Sequence, residues 1–101
     1  MPIQTRRDDN GQTLVISIEG RFDFSTHQAF RDAYEHGDST VQHYVVDLSE
    51  TTYLDSSALG MLLLLRDYAG GDSARVVIEN CNSDVRRILS ISNFEKLFQI
   101  R

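Results

Sequence analysis

Two short segments limit what this chain can become. His43-Tyr44-Val45-Val46-Asp47-Leu48 is rich in β-branched and aromatic residues and nearly continuous in apolar character, and Ala74-Arg75-Val76-Val77-Ile78-Glu79 follows the same pattern. A strand covered on both faces looks like this, as in a parallel sheet. Parallel neighbours need crossover connections, and a stretch with helical spacing precedes each segment. The first crossover is predicted to run from Thr26 to about His36, opened by the capping-box pair Ser25 and Gln28 and stopped by Gly37. Its inner face is Ala29, Phe30, Ala33 and Tyr34. The second begins near Asp55-Ser56-Ser57 and runs to Tyr68, closed by Gly70-Gly71. It is apolar over much of its circumference, so it is either deeply buried or lends one face to a partner.

The flanks complete the pattern. Asp9-Asn10-Gly11 is a hairpin signal, because Asn-Gly accepts the positive φ of a tight turn. It joins a polar strand, about Gln4 to Asp8, to a longer one, about Thr13 to Glu19. In the longer strand Leu14, Ile16 and Ile18 alternate with Val15, Ser17 and Glu19. The run Arg6-Arg7-Asp8-Asp9 suits an exposed sheet edge. Gly20 to Phe24 reads as a loop. Asn82 or Ser83 caps a third helix carrying Val85, Ile88 and Leu89 and ending near Asn93, and Leu97 to Ile100 forms a last short strand. The order is ββαβαβαβ: an α/β domain with a mixed central sheet and right-handed helical crossovers. At 101 residues the chain fits one domain, residues 1–101.

Composition narrows the function. A net charge of −5 disfavours nucleic acid and anionic membranes as partners. The longest apolar run, Ala58 to Leu65, is too short to span a bilayer and contains Gly60. The first seven residues lack a signal-peptide core, and Cys81, the only cysteine, has no disulfide partner. The expectation is a soluble, cytoplasmic protein.

The most informative segment is the junction where a buried strand, a short loop and a helix beginning Asp55-Ser56-Ser57 follow one another. A helix N-terminus leaves backbone N–H groups unpaired and favours an anion, including a phosphate carried by a serine. Ser56 can therefore serve as a phosphorylation switch. Equally, Asp55 or Ser56 can simply cap the helix, and the residues alone leave both readings open. Nucleophilic catalysis is disfavoured. The G-x-S-x-G elbow is absent, with Leu54 and Ala58 at its glycine positions, and His27, His36 and His43 have no triad spacing. No Walker-type glycine loop and no metal-ligand spacing occur, so neither enzyme activity, cofactor nor metal is expected. Asp47 lacks a carboxylate cluster, Arg86-Arg87 reads as a solvated face and Cys81 as a core thiol.

Leu54-Asp55-Ser56-Ser57-Ala58-Leu59-Gly60, preceded by Val45-Val46-Asp47-Leu48-Ser49, resembles the signature of STAS domains, specifically bacterial anti-sigma factor antagonists. Gly20-Arg21-Phe22-Asp23 is similar to that family's Gly-x-Leu-Asp loop, and the element order matches over nearly the whole chain. The sequence is also similar to one subgroup, the anti-anti-sigma factors of the HptB secretion-and-biofilm pathway in Gram-negative bacteria. The resemblance implies partner switching without catalysis by the chain itself. The unphosphorylated form binds an anti-sigma factor and frees a sigma factor. A serine kinase, often the anti-sigma factor itself, modifies Ser56, and a phosphatase resets it. Asp23 then belongs to the recognition surface, with Asp55, Ser57, Met61 and Leu62 as further partner-binding positions. Among the second helix's leucines, which are chiefly core, Met61 and Leu62 are expected to reach the surface. The alternative is a STAS scaffold or ligand-sensing module, stressosome-type or transporter-associated. Two features depart from the family pattern. Ala58 replaces a usual glycine, and the chain stops at Arg101 where many members add a C-terminal helix, which leaves one sheet face expected to be partly bare.

Overall fold

The computed structural model describes residues 2–35 and 41–101. β1 (Ile3–Asp8) and β2 (Thr13–Ile18) form an antiparallel hairpin in which Ile3 faces Ile18. Its turn needs the predicted residues: Asn10 and Gly11 have φ of 58° and 87°. β2 pairs in parallel with β4 (His43–Asp47), β4 with β6 (Val76–Glu79), and β6 with β7 (Gln99–Ile100). The five-stranded order β1-β2-β4-β6-β7 therefore places the two apolar strands centrally, parallel to each other, with β1 at an edge, as expected.

α1 (His27–Glu35), α2 (Ser56–Tyr68) and α3 (Ser83–Ile91) supply the crossovers. Phe30 and Tyr34 of α1, Ala58, Met61, Leu62 and Leu65 of α2, and Val85 and Leu89 of α3 share one core with Leu14, Ile16, Ile18, Tyr44, Val46, Val76 and Ile78 of the sheet. These sheet residues all stand on one face. The opposite face carries Ser17, Val45, Asp47, Val77 and Glu79, which are half-buried, and Val15, which is buried outside that cluster. The central strands are thus not covered equally on both faces; their alternating burial shows one closed face and one more open one. The continuous apolar character of β4 and β6 comes from Val45 and Val77 on the open side.

Several boundaries differ from the sequence expectation. The predicted stop of the first helix at His36-Gly37 lies outside the described residues. Gly20 to Phe22 is a strand, β3, and not a loop; it pairs in parallel with β5 (Thr51–Leu54), which lies in the stretch expected to be a loop. Gly20 has φ 81°, a conformation open to glycine, and there the chain leaves β2 for this second small sheet. Its amide donates to the Glu50 carbonyl (2.9 Å), and the buried Thr51 hydroxyl donates to the Ile18 carbonyl (2.7 Å), so the two sheets are tied together. Ala29 is exposed, although Ala33 packs on the core. Asn82 caps α3 through Val85 N–H (2.8 Å), and Asn93 adopts a left-handed conformation after the helix has ended.

Candidate functional site at the opening of the second helix

The small β3–β5 sheet builds the site. Phe22 and Leu54 are register partners, both buried, and Asp23 and Asp55 follow them directly. The two carboxylates therefore leave the same end of the same sheet, and the Asp55 amide donates to the Phe22 carbonyl (3.4 Å). Each carboxylate then closes a helical turn. Asp55 is the cap of α2: its Oδ1 accepts from the Ala58 amide (3.0 Å) and from the Ser57 hydroxyl (2.6 Å). Asp23 caps the 3-10 turn Phe24–Thr26 that leads into α1, accepting from the Ser25 amide (3.0 Å) and the Ser25 hydroxyl (2.5 Å). The expected Ser25 cap is thus corrected. Ser25 is a donor to the cap, and Asp23, the alternative cap that the sequence also allowed, takes its place.

The electrostatics follow from these bonds. Asp23 is held below the usual carboxylate range, first by the Ser25 hydroxyl and then by the Arg21 guanidinium. Asp55 is also lowered, chiefly by the Ser57 hydroxyl, with burial and the nearby Asp23 charge opposing. The two carboxylates, each following one of the register partners Phe22 and Leu54, lie close enough to feel each other.

Ser56 occupies the first position of α2 and is exposed. Among the described residues its hydroxyl makes no hydrogen bond, whereas the half-buried Ser57 hydroxyl is committed to Asp55. The two adjacent serines thus differ: Ser57 supports the cap, and Ser56 presents a free Oγ to solvent. Met61 and Leu62 are not at the surface, which overturns that expectation. They are 3% and 0% exposed, because α2 turns them toward the sheet. The exposed side of α2 is Ser56, Gly60, Leu63, Leu64, Asp67 and Tyr68, spaced at one helical stripe.

Residues that sequence reasoning passed over complete the surroundings. Arg21 donates from Nε to Asp23 Oδ2 (3.1 Å), and its guanidinium lies over the Tyr53 ring at 4.3 Å. Phe24, 71% exposed, stacks on His27 with ring centroids 5.5 Å apart. The available signal was register: Arg21 opposes Tyr53 only once β3 and β5 are seen to pair. Among the described residues no group of three His, Cys, Asp or Glu is placed to hold a metal ion, and no helix is long and apolar enough to cross a membrane.

A mixed sheet with helices on one face, and an acid-capped helix that presents a serine beside a strand–helix loop, define a small α/β domain with an exposed loop-and-helix surface. The family model described as "Mlab, STAS domain" matches residues 5–99, and the chain belongs to the STAS-domain family. A STAS-domain containing protein of Pseudomonas aeruginosa (strain UCBPP-PA14) is 60% identical over 100 residues, covering 99% of each chain. Solved structures share the fold. An anti-sigma factor antagonist from Mycobacterium paratuberculosis superposes with a TM-score of 0.73 at 22% identity, over 97% of this chain and 84% of that one. The Bacillus cell fate determinant SpoIIAA in its phosphorylated form gives 0.68 at 17%, over 98% and 90%. A sulfate transporter family protein from Wolinella succinogenes gives 0.76 at 12%, over 88% and 75%. The matches reach the STAS family and no subgroup within it.

Proposed function

We propose that this STAS domain is an anti-sigma factor antagonist whose partner binding is switched at Ser56, without catalysis of its own. The observation that carries this reading is the contrast between the two serines. At the opening of α2 the cap is already satisfied by Asp55 and Ser57, which leaves Ser56 exposed with an uncommitted hydroxyl. A residue with no capping duty can be modified without dismantling the helix. The likeness to anti-sigma factor antagonists supports the partner class, an anti-sigma factor; in this reading the chain acts in the cytoplasm. In this reading the unmodified protein binds that factor through the surface formed by Asp23, Asp55 and the exposed stripe of α2, and a sigma factor is freed.

Modification requires a serine kinase. The γ-phosphoryl of a nucleoside triphosphate passes to Ser56 Oγ, the bond to the nucleoside diphosphate breaks and the hydroxyl proton is released. A phosphatase reverses the state by hydrolysis. The phosphate adds about −1.5 to −2 charge where a partner surface had fitted a hydroxyl. An uncompensated charge buried at an interface costs several kcal/mol. A loss of about 3 kcal/mol already weakens binding more than about a hundredfold.

The test begins with Ser56→Ala and Ser56→Asp baits, whose captured proteins are identified by mass spectrometry. Calorimetric titration of the captured factor then compares unmodified and phosphorylated protein. A drop in affinity of about a hundredfold or more supports the reading, and equal affinities remove the switch from Ser56. The transporter-family likeness keeps a scaffold or ligand-sensing role as the second reading. That role calls instead for a thermal midpoint that rises with a small molecule and for binding indifferent to Ser56.

A further inference from the structure

We propose that Arg21 binds the phosphate of phosphorylated Ser56, so that the modified protein holds its own phosphate in an intramolecular clamp. The inference rests on the reading of Ser56 as the phosphorylated residue and extends it to how the phosphorylated form is built.

Arg21 is placed for this by its contacts. Its Nε is bonded to Asp23, and its guanidinium plane rests on Tyr53, which fixes the side chain at the end of the β3–β5 sheet where α2 begins. Asp23 in turn lies close enough to Asp55, the residue before Ser56, for the two charges to interact. Among the described residues neither terminal nitrogen of Arg21 has a hydrogen-bond partner. The side chain is 65% exposed, so these nitrogens are open to solvent. A guanidinium engaged through Nε alone keeps its two Nη groups as a fork, and that fork matches two oxygens of a phosphate. Arg21 can therefore take the phosphate while retaining Asp23.

The need for such a cation is plain from the charges. A phosphate on Ser56 is favoured by the positive end of the α2 dipole but lies next to Asp55, whose carboxylate is close enough to Asp23 for the two charges to interact. Arg21 is the only lysine or arginine in the two segments that meet here, Gly20–Thr26 and Thr51–Gly60. The next basic residue along the chain is His27, whose ring is stacked on Phe24. The same clamp has a consequence for the partner. It engages the Arg21 fork that the unmodified chain leaves open, so a partner meets an occupied guanidinium as well as a new charge.

The experiment installs phosphoserine at position 56 of the full chain by genetic encoding, so no kinase is needed. Phosphorus NMR then follows the second phosphate ionisation with pH, which starts from a value of about 6 in a free phosphoserine. With the clamp, the midpoint of the otherwise unsubstituted protein lies at least about half a pH unit below that of Arg21→Gln. Equal midpoints overturn the proposal. A second measurement uses no substitution: the Arg21 Nη protons should give averaged signals in the unmodified chain and resolve into separate signals when the phosphate is present. Unchanged Nη signals also overturn it. Because the phosphoserine is encoded directly, both readouts report on the clamp even if no kinase modifies Ser56. Failure of the calorimetric switch is thereby distinguishable from failure of the clamp.

Discussion

Asp23 and Asp55 perform one task at two helical entrances, and their chemistry is most visible in how acid should affect them. Each accepts a backbone amide and a serine hydroxyl, and each titrates below the ordinary carboxylate range in the folded chain. A lowered folded pKa stabilises the fold above the unfolded value of about 3.9. That contribution disappears as pH falls through the lowered folded value. Asp55→Ala is therefore expected to cost about 1 kcal/mol at neutral pH, the ordinary worth of a cap. Urea titrations taken from about pH 5 toward pH 2 should show the gap between the two proteins closing. A gap that is constant with pH means that the Asp55 charge does not stabilise the cap. Asp23→Ala should also lower stability, while Asp23→Asn, which can still accept from Ser25, should largely restore it. Lost partner binding with full stability in Asp23→Ala would show recognition as its only duty. Sequence reading assigned the first cap to Ser25 because the Ser25/Gln28 spacing is a good local pattern. The structure places the cap two residues earlier because a 3-10 turn, invisible to a helical periodicity, comes before α1.

At the scale of elements, α2 shows where periodicity carries no information. Met61 through Leu65 are five apolar residues in a row, so any rotation of the helix buries some of them. Its phase is set by what it packs against: Ala58, Met61, Leu62 and Leu65 enter the core, while Leu63 and Leu64 stay 38% and 50% exposed. Leu62→Ala should accordingly cost about 2–5 kcal/mol in denaturant titrations. Leu63→Ala, expected from sequence to cost as much as a core truncation, should change stability by only about 0.5 kcal/mol. Comparable losses in the two variants would mean that α2 is rotated from the orientation described. Gly60 lies on the exposed stripe with open space where a Cβ would stand. Gly60→Ala should therefore raise stability by about 0.5–1 kcal/mol, the helical penalty of glycine, as read from the thermal midpoint. β3 and β5 escaped sequence reading for a related reason. Three residues around Arg21, or four around Tyr53, have no usable alternation. They become strands only because the distant partner is there to pair with. The central strands, by contrast, were legible, because Val45-Val46 and Val76-Val77 have few other ways to bury so much branched apolar surface.

For the molecule as a whole, the arrangement predicts what phosphorylation of Ser56 leaves unchanged. The core runs from Ile16, Val46 and Ile78 in the sheet to Phe30, Leu62 and Leu89 in the helices, all at most 1% exposed, and Ser56 contributes nothing to it. At the opening of α2 the forces on a phosphate oppose one another. The helix N-terminus favours the anion by about 0.3–1 kcal/mol. Asp55 and Asp23 repel it, but these are charges at the protein surface, screened by solvent and salt within about 10 Å. In the proposed clamp Arg21, held at Asp23, adds attraction. The sum is small beside the about 5–15 kcal/mol that holds a domain of this size together. The caps also survive, since the acceptors for the Ser25 and Ala58 amides are aspartate oxygens and not Ser56 Oγ. Phosphorylation should therefore shift backbone amide resonances in Arg21 to Thr26 and Tyr53 to Gly60 and leave those of β1, β4, β6 and α3 in place. Hydrogen exchange in the central strands should be equally slow in both forms. Such a pattern makes the switch one of local exclusion, in which the partner is refused at the surface while the fold beneath stays as it was. Resonance changes spread through β4 and β6 would replace that mechanism with a conformational one, and the partner would then be sensing the sheet through α2.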